Sequence, residues 1–297
     1  MTLRASAPAA SPVDRVPATA LVLSAVVSVQ FGSAVARGLF DDLGAVGVVL
    51  LRVGLSAVLL LAVLRPRFWT WSRQALGAAA LLGLALGVMN TVFYLSIRTV
   101  PLGIAVTVEF TGPLLLALVQ TRRWRDGMWV LLAGAGVALL GLDGGSAPLG
   151  GLLLAFLAGL CWAGYILASA RVGALLPGTS GLAVALLVST LVVLPFGVSG
   201  ASAVVDDPAL LLGGLAVALL SSAIPYGAEL AALRRIPTRV FGVLMSLEPA
   251  AAAVAGFLVL SQVLDAREVV ALLLVTAASA GVTLTARQDR VPAQPLE

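Results

Sequence analysis

Gln74-Ala-Leu-Gly-Ala-Ala-Ala-Leu-Leu-Gly-Leu-Ala-Leu-Gly-Val-Met-Asn-Thr-Val-Phe-Tyr-Leu-Ser-Ile97 carries no charge, and Arg73 and Arg98 bracket it. Hydrocarbon offers backbone N–H and C=O groups no partner. A chain therefore crosses a bilayer as a helix of about 20 apolar residues, whose backbone bonds are all internal. This stretch has that length and composition. Working outward, similar uncharged runs occupy residues 18–36, 144–170, 172–205 and 208–228. Over 297 residues, 60% are hydrophobic and 11% charged, with a mean hydropathy of +1.09. A soluble domain carries about 25% charged residues. The sequence reads as an all-α integral membrane protein.

Ten spans are expected, at 18–36, 43–64, 74–97, 99–120, 127–142, 148–170, 179–198, 209–232, 238–261 and 268–286. Residues 1–17 and 287–297 are left as cytoplasmic tails. With the N-terminus inside, fourteen arginines fall on cytoplasmic segments and three on outer ones (Arg37, Arg98 and Arg267). The outer segments also carry Asp41, Asp42, Asp143, Asp206, Asp207, Asp265 and Glu268. Cytoplasmic loops collect positive charge, so this asymmetry orients both termini inward in a multi-pass cell (inner) membrane protein. It also requires an even number of spans.

The chain resembles itself. Phe93-Tyr-Leu-Ser-Ile-Arg-Thr-Val-Pro101 aligns with Glu229-Leu-Ala-Ala-Leu-Arg-Arg-Ile-Pro237 at an offset of 136, which also carries Pro113 onto Pro249. The expectation is two five-helix repeats, 18–142 and 143–286. Five being odd, the halves would lie inverted in the membrane, an arrangement that puts a transporter's substrate site near the midplane between them. The alternative is chance likeness between apolar segments.

Three ionisable residues fall deep inside spans: Arg52 in the second, Glu109 in the fourth and Glu248 in the ninth. A charge at that depth costs roughly 2.5–3.5 kcal/mol on insertion scales, so it faces a partner or a wet cavity. One reading is a buried ion pair that fixes helix packing; the other is a substrate or proton site. Glu229 lies nearer a span end, close to Arg234 and Arg235, and reads as an interfacial carboxylate that snorkels. Pro113 cannot donate to the carbonyl of Glu109, nor Pro249 to that of Met245, which the 136-residue offset makes the counterpart of Glu109. Both are candidate helix kinks at the same depth. Gln30, Asn90, Tyr94, Trp162, Tyr165 and Tyr226 add polar or amphipathic side chains that suit a cavity wall. The 31 glycines, with pairs such as Gly83 and Gly87, read as sites of close helix packing.

Other functions are excluded or disfavoured. Histidine is absent, and the lone Cys161 forms neither a disulfide nor a CxxC pair, so neither a metal site nor a cofactor is expected. No cluster of loop carboxylates suggests an enzyme. The net charge of +4 belongs to cytoplasmic loops rather than to nucleic-acid binding.

The block Asn90–Pro113, which reads NTVFYLSIRTVPLGIAVTVEFTGP, resembles EamA-type members of the drug/metabolite transporter superfamily, and among them the bacterial threonine/homoserine exporters. The block 236–249, IPTRVFGVLMSLEP, adds to the likeness, as do Ile224-Pro225-Tyr226 and Arg52 in its Leu-Arg-Val setting. The resemblance covers nearly the whole chain and departs in the tails and the 143–148 loop. It implies two inverted repeats, a central cavity and efflux of small neutral amino acids. Together with the midplane charges it suggests Glu109, Glu248, Arg52, Asn90, Tyr94 and Tyr226 as the substrate- and proton-binding set. The partners expected are a small amino acid, protons and the lipid bilayer; efflux of another metabolite or drug is the first alternative and a non-transporting membrane protein the second.

Overall fold

The computed structural model describes residues 16–121, 127–141, 147–176, 178–233 and 235–285. The tails, the connections carrying Arg122, Arg123, Arg125 and Asp143, and Arg234 lie outside the described residues. The described residues are helical and contain no strand. The helices are α1 (Ala18–Gly38), α2 (Phe40–Leu64), α3 (Arg73–Ser96), α4 (Leu102–Glu109), α5 (Thr111–Thr121), α6 (Gly127–Gly141) and α7 (Leu149–Leu175). They continue with α8 (Ser180–Ala201), the short α9 (Ala203–Asp206), α10 (Ala209–Ala218), α11 (Ile224–Leu233), α12 (Thr238–Met245), α13 (Glu248–Leu260) and α14 (Ala266–Thr285).

Among the described residues, eight helical stretches are long and apolar enough to cross a membrane, with α10–α11 and α12–α13 each counting as one. Two expected spans are shorter as apolar helices: Leu102–Ala117 and Gly127–Leu140. α6 is described over 15 residues, and the residues flanking it on both sides lie outside the described ones.

The expected kinks are breaks. In the fourth stretch α4 stops at Glu109 and α5 starts at Thr111; in the ninth, α12 stops at Met245 and α13 starts at Glu248. Pro113 and Pro249 sit just past these breaks, where their missing N–H groups would have continued the i→i−4 ladder. Both α4 and α12 are eight residues long, and the 136-residue offset carries one onto the other. A third irregularity, a single π turn at Leu219–Ala223, joins α10 to α11.

Close packing fixes these pieces. The crossing of α3 and α8 uses the glycine pair: a Cβ on Gly83 would strike the carbonyl of Ala185, and one on Gly87 would come within 3.2 Å of Ser189 Oγ. Where α7 crosses the first break, a Cβ on Gly159 would collide with the carbonyl oxygen of Glu109, the same carbonyl that Pro113 leaves without a donor. Helix ends are also tied. Arg37 donates from Nε to the Ile97 carbonyl (2.9 Å), next to the end of α3, and the Leu102 amide at the start of α4 donates to Gln262 Oε1 (2.9 Å).

Candidate functional site

The breaks, the π turn and the middles of α1, α2 and α7 surround one cavity of about 430 Å³. Arg52 enters it from α2 and is 7% exposed. Its Nη1 donates to Tyr94 Oη on α3 (3.1 Å) and its Nη2 to the Ser221 carbonyl in the π turn (3.1 Å). The guanidinium carbon also lies 5.5 Å from the Tyr94 ring centroid. A π turn shifts backbone carbonyls out of the regular ladder, and such turns are frequent at functional sites. Here it places a carbonyl against the cation. The guanidinium is therefore positioned by a phenol and a peptide group, not by a carboxylate.

The carboxylates stand elsewhere on the same wall. Glu109 is the last residue of α4 and Glu248 the first of α13, 9% and 6% exposed. They thus occupy opposite ends of their short helices, and the helix-end fields they meet are opposite in sign. Glu248 Oε2 accepts from Gln30 Nε2 of α1 at 3.4 Å. Glu229 on α11 also lines the cavity. The sequence pointed to an interfacial carboxylate beside Arg234 and Arg235; the structure turns it inward instead. Arg235, six residues on, donates to the Val16 carbonyl (3.0 Å) at the far end of α1. Among the described residues, the cavity wall thus holds three carboxylates and one cation.

Of the remaining candidates, Asn90 and Tyr226 line the cavity, and Asn90 anchors its Nδ2 on the Leu86 carbonyl (2.8 Å). Pro113 is on the wall at the first break; Pro249 is buried beside the second and is not a lining residue. Tyr94 is fully buried behind Arg52 and meets the cavity only through it. Trp162 and Tyr165 of α7 form part of the wall, and the Trp162 ring packs edge-on against Phe110, the residue at the first break (centroids 4.9 Å apart). An amphiphilic chamber of this kind can hold a small solute with both an anionic and a cationic group.

The profile of the EamA-like transporter family matches residues 149–284. The threonine/homoserine exporter RhtA of Salmonella typhimurium (strain SL1344) is 44% identical over 272 residues, covering 91% of this chain and 92% of the relative. RhtA of Escherichia coli (strain K12) is 43% identical over 272 residues, with the same shares of both chains covered. The chain belongs to the EamA-like transporter family. A solved crystal structure, 18% identical, superposes with a TM-score of 0.60 and covers 90% of this chain and 96% of its own, which shows a shared fold. In this EamA-like chain the residues that sequence reading passed over are Glu229, whose nearby arginines suggested a surface, and Ser221. The Ser221-Ser222 doublet inside an apolar run was the available signal.

Proposed function

We propose that this protein is a secondary transporter that exports small neutral amino acids of the threonine and homoserine kind across the inner membrane in exchange for protons. The observation that carries the reading is the cavity itself: one fixed guanidinium and three carboxylates around a volume suited to a small zwitterion. Arg52 is the group for the substrate carboxylate. Glu109, Glu229 and Glu248 are the candidates for its ammonium. Identity of 44% to a threonine/homoserine exporter over 91% of the chain supports the substrate class. Proton exchange follows if one carboxylate holds either a proton or the ammonium, never both.

The same proposal includes ten spans as two inverted five-helix repeats, with both termini cytoplasmic. The fourth and fifth spans would be α4–α5 and α6. The arginine asymmetry supports the orientation. The packing pattern supports the repeat: exchanging the halves turns the α1 contact with α10–α11 into that of α7 with α3, and the α1–α13 contact into α7–α5. The α2–α8 and α6–α14 contacts map onto themselves. The test of function is loading everted membrane vesicles with labelled threonine under an imposed pH gradient. Gradient-dependent accumulation above that of vesicles lacking the protein is expected. Equal uptake in the two would overturn the reading.

A further inference from the structure

The chamber is shut at one end and continues toward the other. Where α3 stops and α4 starts, its wall reaches no further than Ser33, Phe93 and Val106 among the described residues. Beyond them Ser96, Ile97, Val100 and Leu102 are each 2% exposed or less. In the opposite direction the wall runs through Ala117, Phe241 and Thr283 to Leu233, the last residue of α11 and 40% exposed.

The bonds at the shut end converge on the corner 97–102 between α3 and α4. Arg37, near the end of α1, donates from Nε to the Ile97 carbonyl (2.9 Å) and from Nη2 to the Arg98 carbonyl (3.2 Å). Its guanidinium carbon lies 5.3 Å from the Phe40 ring centroid, and that ring packs on Tyr94 (centroids 5.6 Å apart), so Arg37 is placed rather than free. From the other side Gln262, in the turn between α13 and α14, accepts the Leu102 amide on Oε1 (2.9 Å). Its own backbone amide donates to the Gly256 carbonyl at 3.0 Å, which fixes the turn. Both side chains take up groups that helices leave over, carbonyls past the end of α3 and an amide at the start of α4. Arg98 and Thr99 of the corner are exposed, so water can replace these bonds, and bonds exchanged for water are cheap to break.

We propose that Arg37 and Gln262 are the outer latch of the chamber, holding it shut toward the periplasm while it stands open toward the cytoplasm. The inference rests on the topology and the exporter reading above, and assigns the residues that hold the loading state of the cycle. The sequence offset explains why one end is latched in this way and the other is not. It carries the corner 97–102 onto 233–238 at the inner end, and Arg37 onto Gly173 of α7. Nothing lies within 4 Å of where a Cβ on Gly173 would be, so no guanidinium does at the inner corner what Arg37 does at the outer one.

The experiment labels one introduced thiol from each side of the membrane. Val29 lines the cavity on α1, so Val29→Cys is made in a Cys161→Ser background, which removes the native thiol. A charged, impermeant maleimide is added to inside-out or right-side-out vesicles. With the latch intact, labelling from the cytoplasmic side should be at least about tenfold faster than from the periplasmic side. Adding Arg37→Ala and Gln262→Ala together should raise periplasmic labelling by about tenfold. Arg37→Lys keeps a donor and Gln262→Glu the accepting oxygen, so each alone should hold the original ratio. Equal labelling from the two sides with the latch intact overturns the proposal, even if the double variant fails to reach the membrane. So does a double variant that keeps the original ratio. Labelling with the two sides exchanged would overturn the outer placement together with the topology. No substrate is needed, so the result is separate from the exporter reading, whose own failure shows as absent threonine uptake.

Discussion

Arg52 is held without a carboxylate partner, and that decides what its removal does. The side chain makes two hydrogen bonds, to Tyr94 Oη and the Ser221 carbonyl, in a wall shared with three glutamates. Arg52→Ala should destabilise the protein by about 3–6 kcal/mol, the loss of two buried hydrogen bonds to a charged group at about 1.5–3 kcal/mol each. Tyr94→Phe removes one of the two bonds and should cost less, about 1.5–3 kcal/mol. Thermal unfolding of the detergent-solubilised variants measures both; a Tyr94→Phe loss as large as that of Arg52→Ala would mean the phenol does more than hold the guanidinium. Glu248→Gln, Glu109→Gln and Glu229→Gln each replace an ionisable group with a permanently neutral one. The one that carries the proton, being also the partner of the ammonium, should bind substrate more weakly and lose its response to a pH gradient in proteoliposomes. Three variants with wild-type pH dependence would make all three carboxylates structural. Arg52, Glu109 and Glu248 were legible in sequence because a charge in a long apolar run has few explanations. Glu229 was not, because its neighbours along the chain are arginines while its neighbours in space are the cavity wall, and helix rotation is not written in local composition.

Breaks within helices shape the chamber more than the helices do. The α4–α5 and α12–α13 stretches each divide at positions related by the 136-residue offset, and α7 lies so close to the first break that Gly159 has no room for a side chain. Gly159→Ala should therefore destabilise by about 1–3 kcal/mol through overpacking against a backbone that cannot rotate away. Gly164→Ala, one turn and a residue further along α7 with nothing within 4 Å, should be neutral. Unfolding midpoints of the two variants provide the check, and similar losses at both positions would contradict the crossing. Proline made the breaks legible, since its missing N–H marks where the ladder must fail. The π turn at Leu219–Ala223 carried the same mark: Pro225, just past it, cannot donate to the Ser221 carbonyl four residues earlier, and that carbonyl accepts from the Arg52 guanidinium instead.

At the scale of the whole chain, apolar runs and arginine placement predicted the helical membrane class, and among the described residues eight helical stretches meet the length requirement outright. The topology proposed above makes a direct prediction. Reporter fusions placed after Asp143 should report the periplasm, and those after Arg123 the cytoplasm. The opposite result at either site would end the inverted-repeat description.

The tethering of Arg52 to both α3 and the π turn has an electrical consequence. A guanidinium fixed to the scaffold does not travel with the solute, and a zwitterion carries no net charge of its own. Each exported molecule exchanged for one proton would then move one positive charge inward. The inside-negative voltage of a living cell would drive the cycle even with equal pH on both sides, by about 2.3 kcal/mol for each 100 mV. A potassium diffusion potential imposed on proteoliposomes should therefore accelerate threonine movement, and reversing its polarity should slow it; indifference to polarity would mean that no net charge crosses.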